Sequence, residues 1–209
     1  MNRALFVSLD GPKGAGKTTL LEAITKVLRA DNKKVIRLCE KKSDPCRGET
    51  MALVNKLVRN PTRELELRVC ERLADSRTWI SLHVLAKQPP DSIILIDRWY
   101  PSDAAFRQLV PFAEILQLNI DRNVQVPDLH VGVVTDPDIS WARAAARSRG
   151  LSSTVMHKLE EHVACTKAFE RAIADHGWVL CRNEGTLEDA TMQVVREIYK
   201  VLLGRHEHC

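Results

Sequence analysis

Apolar residues along the chain fall into two patterns that alternate from one end to the other. Short continuous runs read as buried strands, and longer stretches with apolar residues every three or four positions read as helices. The run Ala4-Leu5-Phe6-Val7-Ser8-Leu9 is the first strand, and Leu20, Leu21, Ile24, Val27 and Leu28 follow at helical spacing over 18–30. A second strand is predicted over 34–38, a helix over 49–58, and a longer arginine-rich amphipathic helix over 64–85.

Ser92-Ile93-Ile94-Leu95-Ile96 follows Pro89-Pro90 and ends at Asp97. It is apolar on both faces, as a central parallel strand must be. Strands at 129–135 and 178–181 and helices at 138–147, 157–175 and 187–203 complete the series, with a Ser-rich break at 150–154. Alternating strands and helices imply an α/β fold in three layers: a parallel sheet of about five strands with helices on both faces. At 209 residues the chain fits one domain spanning 1–209, with no repeat or linker.

Composition narrows the class without choosing a function. No apolar run is long enough to span a bilayer, and residues 1–10 lack the features of a signal peptide, so a cytoplasmic location is expected, without a membrane partner. Six cysteines occur with no Cys-x-x-Cys pair, which points to reduced thiols. The net charge of +4 is small for a protein that coats nucleic acid, and aromatics make up only 5% of the chain. A local basic pocket for a phosphorylated small molecule accounts for the excess, and no nucleic-acid partner is expected.

The chemistry begins at Gly11-Pro12-Lys13-Gly14-Ala15-Gly16-Lys17-Thr18, with Thr19 next. These residues satisfy the G-x-x-x-x-G-K-[ST] pattern and stand between a predicted strand and a predicted helix, the context the pattern requires. Such a loop turns its backbone N–H groups inward around phosphates, and the helix start adds partial positive charge. Lys17 is expected to reach the β- and γ-phosphates of ATP and Thr18 to ligate Mg²⁺. The loop alone does not fix the fate of the γ-phosphate, because hydrolases, switches and kinases share it.

Asp97 would emerge at the carboxyl edge of the sheet beside this loop, where its carboxylate can hold Mg²⁺ through water. Arg98 follows it directly. The segment Asp97-Arg98-Trp99-Tyr100-Pro101-Ser102-Asp103-Ala104-Ala105-Phe106-Arg107 resembles the thymidylate kinase family pattern Asp-Arg-aromatic-x-x-Ser-x-x-Ala-aromatic-Gln. Asp10 ahead of the phosphate loop, and Pro127-Asp128-Leu129 with Asp136-Pro137-Asp138 and Arg143, are similar to that family in the same order.

The resemblance implies a nucleoside monophosphate kinase in which Arg98 binds the acceptor phosphate while Ser102, Phe106 and Arg107 border the acceptor pocket. A planar guanidinium matches phosphate bidentately, and Phe106 would either stack on a base or belong to the core. Asp10 and Glu40 fall on the acceptor side, and Arg72 or Arg77 would face the base. A lid at about 143–160 would bring Arg143 and Arg147 over the transferring phosphate, with Arg149 behind them. A homodimer through the 64–85 helix is a further family expectation.

Departures from the family pattern lie on the acceptor side. Lys13 stands where the family often has an acidic residue, and Cys39-Glu40-Lys41 replaces Arg-Glu-Pro. Arg77 comes one residue late in Leu73-Ala74-Asp75-Ser76-Arg77, about 100° around a helix. Arg107 fills a glutamine position, and His157-Lys158-Leu159-Glu160 replaces Asp-Arg-x-Glu. A carboxamide reads a base edge with paired donor and acceptor, whereas an arginine only donates. The expected reaction is phosphorylation of dTMP or a related deoxynucleoside monophosphate by MgATP. A nucleoside kinase, with Asp10 or Glu40 taking a hydroxyl proton, and a P-loop ATPase or regulator are the alternatives.

Overall fold

A computed structural model describes residues 3–146 and 158–206. Its centre is strand β1 (Leu5–Asp10), flanked by β3 (Ser92–Asp97) and β4 (Leu129–Val134). Strands β2 (Lys34–Leu38) and β5 (Val179–Arg182) lie outside them, giving the order β2-β3-β1-β4-β5 with every pairing parallel. The five parallel strands and their covering helices agree with the α/β, P-loop-type fold expected from the sequence.

Strand alternation assigns the two faces. Leu5, Val7 and Leu9 of β1 join Ile93 and Leu95 of β3 in a core closed by α1 (Lys17–Ala30) and α9 (Leu187–His206). Phe6, Ile94 and Ile96 point the other way, into a core shared with α4 (Arg63–Ile80) and Trp99. Trp99 is fully buried and meets Phe6 edge-on at 5.6 Å between ring centroids.

Helix α4 begins at Thr62, whose Oγ1 accepts the Leu65 N–H, and continues through one π-helical turn at Ser81–Leu85, matching the predicted 64–85 helix. Helix α3 (Arg47–Arg59) packs against it. The short helix α2 (Glu40–Ser43) and helix α6 (Phe112–Asp121) stand where the pattern predicted no element. In α6, Ile115, Leu116 and Asn119 are buried, so its inward face is partly polar and its period is masked.

Three further helices frame the carboxyl edge of the sheet: α5 (Tyr100–Phe106), α7 (Pro137–Ala145) and α8 (Leu159–His176). Helix α7 starts sharply because Asp136 Oδ1 accepts the N–H groups of Asp138 and Ile139 while Pro137 fills the first helical position. Among the described residues, no helix is long and apolar enough to cross a membrane.

Candidate active site

The loop between β1 and α1 lies at the middle of the sheet's carboxyl edge, because β1 is the central strand. Gly14 and Gly16 have φ of 83° and 85°, the left-handed region that glycine enters without penalty. A Cβ on Gly14 would also collide with the Ser140 carbonyl of α7, and one on Gly16 with the Asn183 side-chain amide. The loop is therefore held tightly between α7 and the segment after β5. Asn183 Nδ2 donates to Ala15 O at 2.8 Å, and its own N–H donates to Val134 O. Arg143 reaches the same segment, with Nη1 3.5 Å from Asn183 O.

Lys17 is buried, with Nζ 2.9 Å from Gly11 O and 2.6 Å from Pro12 O. Burial and then the Arg98 charge hold its pKa well below the ordinary lysine range, with Asp97 and Asp10 partly opposing them. Thr18 is exposed at the start of α1 beside Thr19, and its Oγ1 donates to Asp97 Oδ2 at 2.8 Å. A hydroxyl and a carboxylate side by side at the loop are hard oxygen donors, the chemistry that suits Mg²⁺. This pair fits the metal expected from the sequence.

Arg98 adopts φ of 74°, unusual for a residue other than glycine, at the end of β3. Its N–H donates to Leu9 O, its Nη1 donates to Gly11 O at 3.0 Å, and its guanidinium lies 4.8 Å above the centre of the Phe106 ring. Asp97 thus turns to the Thr18 side of the phosphate loop while Arg98 turns to the other side. Burial lowers the Arg98 pKa, with Asp97 opposing, yet an arginine keeps its charge across the working range.

On the Arg98 side opens a cavity of about 370 Å³. Its walls bring together Lys13, Glu40, Arg77, Arg98, Ser102, Phe106 and Arg107, seven residues the sequence placed on the phosphate loop or the acceptor side. The phase difference of Arg77 did not exclude it. Arg77 is only 1% exposed, with Nε 2.8 Å from Glu40 and Nη1 3.2 Å from Asn119 Oδ1 and 3.4 Å from Asp103. Burial opposes its charge, but Glu40 and Asp103 outweigh burial and raise its pKa. Burial raises the pKa of Glu40 in turn, and Arg77 partly restores it.

Two of the residues expected on the acceptor side stand off the cavity wall. Asp10 does not line the cavity; it is 1% exposed, and its Oδ1 accepts from Trp99 N–H, Ser102 N–H and Ser102 Oγ. Those donors belong to the first turn of α5, so Asp10 works as that helix's anchor. Arg72 also turns aside, toward Ser76 at 3.1 Å and Glu49 and Asp75 at 3.8 Å. Arg147, Arg149 and His157, and with them most of the expected lid, lie outside the described residues.

Sequence reasoning missed several residues that shape the site. Asp103 binds Arg77 and Arg107 together, and Glu66 accepts the backbone N–H groups of Gln108, Leu109 and Val110, fixing the chain just past Arg107. Asn183 had a usable signal, since Asn183-Glu184-Gly185 is a polar cluster at the end of a strand on the same edge. Glu66 had none, because its partners lie more than forty residues away.

The family model described as thymidylate kinase matches residues 9–195, from the end of β1 to the middle of α9. The chain belongs to the thymidylate kinase family. It is similar to the thymidylate kinase of Halalkalibacterium halodurans, with 26% identity over 181 residues covering 83% of this chain and 84% of that protein. It is also 26% identical to the thymidylate kinase of Xanthomonas oryzae pv. oryzae over 147 residues, which cover 68% of this chain and 61% of that one. As a member of this family the chain is an ATP-dependent phosphotransferase of the nucleoside monophosphate kinase class.

Proposed function

We propose that the chain transfers the γ-phosphoryl group of MgATP to the phosphate of a deoxynucleoside monophosphate, with dTMP, converted to dTDP, as the first candidate. The observation that carries this reading is Arg98: one guanidinium at the boundary between the phosphate loop and a nucleotide-sized cavity. A cation in that place can hold an acceptor phosphate against the donor's γ-phosphate. The curated relatives named above support dTMP as the acceptor.

In this reading the loop 11–18 and Lys17 hold the ATP phosphates, and Arg98 holds the acceptor. Mg²⁺, when bound at Thr18 and Asp97, would neutralise charge on the donor phosphates. Arg143 approaches from α7, and Arg147, outside the described residues, is the second lid cation that the family resemblance implies. An acceptor phosphate is already anionic and needs no strong base. That suits a site in which Asp10 Oδ1 holds the start of α5 and Glu40 is paired with Arg77. A cytoplasmic location belongs to the same reading, as does a homodimer through the 64–85 helix, where Trp79 and Leu82 are exposed.

The test is ADP release from MgATP with a panel of nucleoside monophosphates, the matching nucleosides, and no acceptor. The expected result is ADP formation that requires a monophosphate and is fastest with dTMP. Equal rates without acceptor, or turnover of nucleosides alone, would overturn the reading.

A further inference from the structure

Lys13 belongs to the phosphate loop, yet it lines the acceptor cavity together with Arg98 and Ser102. The backbone on both sides of it is fixed. Before it, Gly11 O accepts from Lys17 Nζ and Arg98 Nη1, Pro12 O accepts from Lys17 Nζ, and the proline ring restricts φ at position 12. After it, Gly14 sits against the Ser140 carbonyl of α7 with no room for a Cβ. Lys13 itself is half-buried, so its side chain leaves a rigid turn where the phosphate loop meets the cavity. Lys17 is buried and directs its Nζ to the carbonyls of that turn, whereas Arg98 comes from the end of β3.

Two phosphates that must come into contact repel each other, and a cation that reaches both offsets the repulsion most when they are closest. A lysine ammonium is a compact charge with three donors on a flexible stem, which suits contact with two partners that move together. We propose that Lys13 is a catalytic residue whose ammonium bridges the γ-phosphoryl group of ATP and the acceptor phosphate as transfer occurs. In that step an acceptor phosphate oxygen bonds to the γ-phosphorus. The bond from the γ-phosphorus to its bridging oxygen breaks, and that electron pair stays on ADP. Lys13 gives up no proton. The proposal rests on the monophosphate kinase reading above and deepens it, because one residue of the donor loop then acts on the acceptor as well.

The test uses two neutral variants, Lys13→Met and Lys13→Gln, and one that keeps the charge, Lys13→Arg. Turnover is measured with MgATP and dTMP. Calorimetry gives the affinity for ATP alone and for a bisubstrate probe in which a pentaphosphate joins adenosine to thymidine. K13M and K13Q are expected to lower kcat by about a hundredfold or more and bisubstrate affinity by about tenfold or more, with ATP affinity within about threefold of the intact protein. K13R should recover kcat to within about tenfold of the intact enzyme, a dependence on charge that a merely structural residue would not show. The acceptor 3′-deoxy-dTMP separates phosphate from sugar: the neutral variants should lose as much kcat with it as with dTMP.

Neutral variants with kcat within about threefold of the intact enzyme would overturn the proposal. So would a loss that appears in ATP affinity instead of kcat, an equal loss in K13R and K13M, or a loss that vanishes with 3′-deoxy-dTMP. If the intact protein turns over no monophosphate, the kinase reading fails, and the bisubstrate probe decides the role of Lys13 separately. An affinity for the probe that is unchanged in K13M, or absent in the intact protein, overturns it.

Discussion

Lys17 and Arg98 donate to the same carbonyl oxygen, that of Gly11, at 2.9 and 3.0 Å. The lysine comes from the start of α1 and the arginine from the end of β3, so two cations from separate elements meet at one point on the phosphate loop. Their mutual repulsion contributes to the low pKa of Lys17, after burial. Phosphate arriving on either side relieves it.

The two cations are expected to separate by function. Arg98→Ala should lower acceptor-dependent ADP formation by about a thousandfold while ATP affinity, measured by calorimetry, stays close to that of the intact protein. Lys17→Ala should weaken ATP affinity and transfer together. Collapse of ATP binding in R98A would show that the arginine serves the donor side.

Asp10 is expected to behave as a structural residue. Asp10→Ala leaves the Trp99 N–H, the Ser102 N–H and the Ser102 hydroxyl without their acceptor in a buried setting. The loss should be about 2–5 kcal/mol in urea denaturation, whereas Asp10→Asn, which keeps an oxygen there, should recover most of it. A D10A protein of unchanged stability but no activity would return Asp10 to the acceptor side.

His130 makes stability depend on pH. It lies on β4 between Ser8 Oγ at 3.1 Å and Tyr100 Oη at 3.3 Å, its ring stacked on Trp178, an indole on which His176 also stacks. Burial pushes its pKa down from 6.5 to about 4, with Asp10 opposing and His176 adding to the shift. The folded pKa is below the unfolded one, so between about pH 6.5 and 4 the unfolded chain binds more protons. Stability should therefore be lost as pH falls through that window, by about 3 kcal/mol in all from this group. His130→Gln should flatten the slope of unfolding free energy against pH; an unaltered slope would remove His130 as its source.

The parts of the site that were legible in the sequence are those fixed by chain-local geometry. Spacing alone places Lys17 and Thr18 at the start of a helix, and the run 92–96 carries Asp97 to the same sheet edge. Longer-range partnerships were not legible. Asp10 serves donors 89 and 92 positions away, and only the docking of α5 reveals that its Oδ1 is already committed. Arg77 was out of phase with the family pattern, yet Glu40, Asp103 and Asn119 draw it into the cavity wall. Arg107 invited the opposite error: it could be judged alone as a donor, although Asp103 stood four residues earlier as its partner.

Asp97 and Arg98 are consecutive residues, one turned to Thr18 and the other to the cavity. The two halves of the proposed reaction are consequently anchored about 3.8 Å apart along the backbone, a separation set by one trans peptide unit. Helices around the edge can shift and side chains can swing, but that spacing is covalent. A substitution or a packing change elsewhere can loosen either substrate without altering the ruler that keeps donor and acceptor in step.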